Sequence, residues 1–150
     1  MSAFKTMTAI AASTLALSAL AVPAAAQITT GTSGTAQGTD VKAQTCGQGT
    51  STATGVTVSG CADATAANGG TVNTSNVARA NDQMGMQRSR ATAVDEDERA
   101  RAMTMTKVRQ GEVVRSRTMT MYKQRGEKPV REVTTSTATP KSTTTKKRPR

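Results

Sequence analysis

The location of the large apolar side chains constrains this chain more than any other feature. All three Leu and the single Phe lie before residue 27, and from residue 27 onward there remain one Ile, eleven Val and one aromatic residue, Tyr122. A segment so poor in large hydrophobics buries little apolar surface to set against the entropy of ordering its backbone. With its charge, it falls in the compositional range of disordered chains. The fold expected is mostly disordered and low-complexity, with small all-β elements and one short helix.

The apolar residues before position 27 have another use. Lys5 gives a positive start, Met7 to Val22 is an uncharged Ala- and Leu-rich run, Pro23 breaks it, and Ala24–Ala26 supply small residues for cleavage. This is the anatomy of a signal peptide over residues 1–26. The apolar run is short for a membrane span. The expectation is an exported protein, periplasmic or secreted, of Gram-negative bacterial style, with no integral membrane span after cleavage before Gln27.

The remainder divides by composition. Residues 27–78 carry only Asp40, Lys42 and Asp63 as charges and consist largely of Thr, Gly, Ala and Ser. The chain holds 20 Lys and Arg against 10 Asp and Glu, and all of these basic residues except Lys5 and Lys42 fall at Arg79 or later. Residues 79–137 form a basic, repeat-bearing segment, and residues 138–150 a polybasic tail expected to be disordered.

Within the neutral segment stand the two cysteines, Cys46 and Cys61. In an exported chain an even pair reads as a disulfide. The alternating Thr and Val between them suit a hairpin near 44–62, pinned by that bridge. The spacing is not CxxC and the chain has no His, which argues against redox or thiolate-metal chemistry. Further on, Thr92 with Asp95 suggests a helix cap. Asp95/Arg99 and Asp97/Arg101 are i,i+4 pairs. These signals predict a short helix near 93–102.

The strongest pattern is a duplication. Residues 99–109, RARAMTMTKVR, recur at 115–125 as RSRTMTMYKQR. Apolar and polar residues alternate with period two, and Gly111 and Gly126 fall where hairpin turns would need them. A marginal three-stranded meander near 102–137 follows. In strand geometry Arg99, Arg101, Met103, Met105, Lys107 and Arg109 share one face, as do Arg115, Arg117, Met119, Met121, Lys123 and Arg125.

Catalytic chemistry has little support. Without His there is no Ser-His-Asp triad, no HExxH and no two-His iron site, and no phosphate-cradling glycine motif is present. A non-enzyme without cofactor is expected. All six methionines after residue 27 fall in M-x-M pairs, Met84/Met86, Met103/Met105 and Met119/Met121, each followed by two basic residues. One reading is an anion-binding surface made of the two repeats' cations with Lys146, Lys147, Arg148 and Arg150. Its partners would be lipopolysaccharide, acidic polysaccharide or phospholipid headgroups; nucleic acid would bind nonspecifically, because stacking aromatics are missing. A second reading is soft-metal binding, Cu(I) or Ag(I), by the six thioethers. The M-x-M pairs resemble the methionine-rich segments of periplasmic copper-handling proteins, although the adjacent arginines repel a cation. The third is a flexible spacer with no specific ligand.

Overall fold

The structure is a computed structural model that describes residues 27–149. The leader expected at 1–26 and the terminal Arg150 lie outside the described residues. Alternation of Val and Thr with small residues favours extended backbone, and nine antiparallel strands form. They are β1 (Ile28–Gln37), β2 (Val41–Ser51), β3 (Val56–Ala66), β4 (Thr71–Ala80), β5 (Met84–Val94), β6 (Glu98–Arg109), β7 (Val113–Gln124), β8 (Val130–Thr139) and β9 (Ser142–Pro149). Each strand follows its predecessor up and down. β1-β2-β3 form one sheet and β4-β5-β6-β7-β8-β9 the other.

The chain changes sheet between β3 and β4. Asn68 and Gly69 take φ of 53° and 76°, and the Gly70 N–H donates to the Ala67 carbonyl at 2.9 Å. Two successive left-handed residues fit the Asn-Gly pair. The smaller sheet then lies on the larger, with β1 over β7, β2 over β6 and β3 over β5. β4 is tied to β3 by the Asn76 side-chain amide, which donates to the Gly60 carbonyl at 2.7 Å.

Small residues fill the space between the layers. One apolar cluster joins Ala36, Val41, Ala43, Ala91, Ala93, Ala100 and Ala102, with Tyr122 packed against it. The other joins Ile28, Val108, Val114 and Ala138. Between the clusters runs a chain of buried hydroxyls. Thr45 bonds Thr104 at 2.9 Å, Thr104 bonds Thr118 at 2.7 Å, and Thr118 donates to Thr32 at 2.7 Å. Thr32 bonds Ser116 at 2.7 Å and Ser116 bonds Thr106 at 2.9 Å. Satisfied hydroxyls in a low-dielectric interior polarise one another and hold the layers in register.

The layers approach closely enough for these bonds because glycine faces threonine. A Cβ on Gly34 would stand 2.7 Å from the Thr120 methyl, and one on Gly47 would stand 2.5 Å from the Thr106 hydroxyl. Cα atoms of β2 and β6 come within 8 Å across the layer, against about 10 Å between ordinary stacked sheets.

At one end, the buried Glu98 carboxylate accepts hydrogen bonds from the Asp40 amide at 2.9 Å and the Tyr122 hydroxyl at 2.7 Å. Burial alone would raise its pKa. The Asp40 amide, the Tyr122 hydroxyl and the amides of Thr39 and Val41 reverse that, holding it below 4.5. Tyr122 is pushed above its ordinary 10.0, by burial first and then by the Glu98 carboxylate. The β1–β2 turn is thereby pinned to β6 and β7.

The expected fold class is corrected at four points. The chain is an ordered two-sheet β protein and is not mostly disordered, because Ala, Thr, Ser and Gly build the interior that Leu and Phe build elsewhere. No helix forms at 93–102 or elsewhere among the described residues. Ala91, Ala93, Ala100 and Ala102 are all fully buried at period two, and that alternation outweighs the cap and the i,i+4 pairs. Asp95 to Glu98 instead make the β5–β6 turn, where the Asp95 N–H donates to the Glu98 carbonyl. The hairpin near 44–62 and the meander near 102–137 are parts of longer sheets (β2–β3 and β6–β8). The tail forms edge strand β9, paired to β8 from Ser142 to Pro149. The Cys46–Cys61 disulfide is present, joining directly opposed residues of β2 and β3 with Cα atoms 5.0 Å apart.

Candidate functional site: the outward face of the six-stranded sheet

Alternate residues of β4 to β9 point away from the small sheet, and the strand register sets them in rows. One row runs Arg79, Met86, Lys107, Arg115, Thr137 and Thr144. The next runs Val77, Arg88, Met105, Arg117, Thr135 and Lys146, and the third Ser75, Arg90, Met103, Met119, Val133 and Arg148. The fourth runs Asn73, Thr92, Arg101, Met121 and Arg131. Met84, Arg109 and Val113 stand beyond the first row, while Val94, Arg99 and Lys123 follow the fourth. At strand spacing this face measures about 24 Å by about 35 Å.

Its charge is of one sign. No Asp or Glu among the described residues projects from these positions. Glu98 and Glu132 point to the other side of their strands, and Asp82, Asp95, Glu96, Asp97, Glu112 and Glu127 occupy the turns at the rims. The Arg109–Glu112 pair at 3.6 Å is such a rim contact and is mostly exposed, so it is worth little. Lys107 directly opposes Arg115, and Arg99 opposes Lys123. Like charges placed opposite each other weaken a sheet, so the arrangement is not one that folding alone favours. The outward face of the small sheet is different: Lys42 and Asp63 are the charged residues on its strands.

The duplicated segments pair with each other. Met103 opposes Met119, and Arg101–Met121 mirrors Met105–Arg117 on either side of that pair. A local two-fold axis therefore passes between Met103 and Met119. Two shallow depressions interrupt the face. One, of about 500 Å³, is lined by Met84, Met86, Arg79, Lys107 and Arg109 among others. The second, of about 230 Å³, is lined by Arg101, Met103, Met119, Met121 and Arg131.

Of the cations singled out from sequence, the structure brings together Arg99, Arg101, Lys107, Arg109, Arg115, Arg117, Lys123, Lys146 and Arg148 on this face. Arg125 lies in the β7–β8 turn and pairs with Asp97 at 3.4 Å. Lys147 points to the opposite side of β9 and pairs with Glu132 at 3.1 Å. Arg150 lies outside the described residues. Arg79, Arg88, Arg90 and Arg131 join the face without having been candidates. Arg88 and Arg90 follow the Met84/Met86 pair and carried that signal, whereas Arg79 and Arg131 belong to no repeat and only register places them. Tyr122 is turned inward against the Ala-rich cluster, so no aromatic ring is available on the face. Among the described residues no group of three or more His, Cys, Asp or Glu is disposed to hold a metal, and no helix is long and apolar enough to cross a membrane.

Comparison of the chain with protein-family models, with curated proteins and with solved structures finds no match.

Proposed function

We propose that this is an exported, non-catalytic protein that holds anionic polymers or surfaces on the outward face of its six-stranded sheet. One observation carries the reading: among the described residues, the outward-pointing positions of those strands bear thirteen Lys and Arg and no carboxylate, while the opposite outer face is close to neutral. A one-sided field of this kind attracts and orients a polyanion. The leader-like residues 1–26 and the disulfide support export.

Long-chain polyphosphate is a suitable probe. Binding should weaken at least about tenfold between about 50 mM and about 200 mM salt, as expected when several phosphates are neutralised. Arg90→Ala, Arg101→Ala and Arg117→Ala should each weaken it, and Lys42→Ala on the other face should not. Binding that ignores salt, or that Lys42→Ala weakens equally, would refute the reading.

The shared depression of Met103, Met119 and Met121 gives soft-metal binding a geometric basis as a second reading. The Arg101 and Arg131 guanidinium groups in the same depression oppose entry of a cation. Cu(I) titration separates the two, since tight binding lost on Met103→Leu with Met119→Leu would favour the metal.

A further inference from the structure

Along the sequence the methionines form three separate pairs, but in the sheet they form one line. Met84 and Met86 lie two residues apart on β5. Met86 is the diagonal neighbour of Met105, since it opposes Lys107. Met105 and Met103 continue on β6, Met103 opposes Met119, and Met121 ends the line on β7. Opposed side chains stand about 5 Å apart and diagonal neighbours about 7–8 Å, within reach of a side chain as long as methionine. The result is a diagonal apolar stripe about 30 Å long and one side chain wide. Lys107, Arg115 and Arg117 flank it on one side, and Arg88, Arg90 and Arg101 on the other. The stripe reaches solvent along its length: Met84 is 54% exposed, Met86 49% and Met119 37%, while Met103, Met105 and Met121 are half-buried.

A soluble polyanion makes no use of such a stripe. Methionine is flexible and apolar, and adapts to irregular partners. An isolated acyl chain laid on so open a line would keep much of its surface in water. A lipid leaflet avoids that cost, because its own hydrocarbon surrounds whatever enters it. Flanking arginines can bend their stems aside along the sheet and keep their guanidinium groups at phosphate level while the thioethers sink below.

We propose that this face docks on a bilayer surface of phosphate-bearing anionic lipids, with the methionine stripe inserted between headgroups that the flanking cations hold. The charge contribution rests on the polyanion reading, and the insertion goes beyond it.

The test compares vesicles of phosphatidylcholine with about one third phosphatidylglycerol against soluble polyphosphate, using the full chain and a quadruple variant, Met103→Gln, Met105→Gln, Met119→Gln and Met121→Gln. The expected result is vesicle partitioning reduced about tenfold or more in the variant, with polyphosphate binding unchanged. The corresponding Met→Leu variant should partition like the parent. On the unmodified protein, anionic vesicles should slow peroxide oxidation of these methionines several-fold, as read by mass spectrometry, and polyphosphate should not. Equal partitioning of the Gln variant, or oxidation rates unaffected by vesicles, would overturn insertion and leave polyanion binding standing. Failure to bind either vesicles or polyphosphate would overturn both.

Discussion

Replacing Glu98 by Gln should be among the most damaging single-atom changes available to this protein. Glu98 is 8% exposed, and its carboxylate accepts from the Asp40 amide and the Tyr122 hydroxyl. Hydrogen bonds to a charged group contribute about 1.5–3 kcal/mol each. Gln keeps one acceptor oxygen and turns an NH₂ group toward a donor, so the loss should be about 3 kcal/mol. For a chain of this size that lowers the melting temperature by about 6–12 °C. The pH dependence gives a sharper signature. The folded pKa of Glu98 lies below the unfolded 4.5, so its contribution is fully present above pH 4.5 and is lost as pH falls through the lower folded value. Tyr122 runs in the opposite sense: its folded pKa is raised above 10.0, so its contribution holds below pH 10.0 and is lost as pH rises beyond it. Urea midpoints measured by circular dichroism across pH should show the parent losing stability at both extremes. Glu98→Gln should lack the acid loss that Glu98 causes and should soften the alkaline one. If parent and variant share the same midpoint at neutral pH and the same acid limb, the pin does not stabilise the fold and the reasoning fails.

Two other perturbations test the interior. Thr118, 1% exposed, bonds both Thr104 and Thr32; Thr118→Val keeps its shape and should cost about 1–3 kcal/mol by removing two buried hydrogen bonds, Thr104 and Thr32 keeping Thr45 and Ser116 as partners. Thr118→Ser should cost less, and equal urea midpoints for all three proteins would show that the hydroxyl chain contributes nothing. Reducing the Cys46–Cys61 bridge, which spans 15 residues of sequence, should cost about 3 kcal/mol by the chain-entropy relation. The far-ultraviolet β signal should persist, because the bridge joins strands already paired along their length.

How much of this was legible in the sequence depends on the kind of signal each segment carries. The duplicated segment announces its strands, since Arg, Met and Lys alternate with Ala, Thr and Val, and Gly111 and Gly126 mark its turns with φ of 68° and 79°. The neutral segment hides its sheet, because glycines such as Gly34 and Gly47 read as chain breakers while their role is to let two layers touch. The acidic run at 95–98 carries helix and turn signals together, and the buried alanines on either side decide between them. The tail carries no core pattern at all, and β9 is exposed along its whole length. At the candidate site, sequence shows that cations and methionines share strand faces. It does not show that β5, β6 and β7 are offset so that three pairs become one stripe, because register is a property of pairs of strands.

The close approach of the two sheets has a consequence for how this protein can vary. An interior made mostly of methyls, hydroxyls and bare backbone leaves little slack where glycines meet the facing strands, so enlargement there separates the layers and breaks the hydroxyl chain with them. Tolerated change is therefore channelled outward, to positions whose side chains meet nothing but solvent or a partner. The large sheet then behaves as a fixed lattice of anchoring points about 5 Å by 7 Å apart, on which charge and apolarity can be rewritten row by row without the lattice moving.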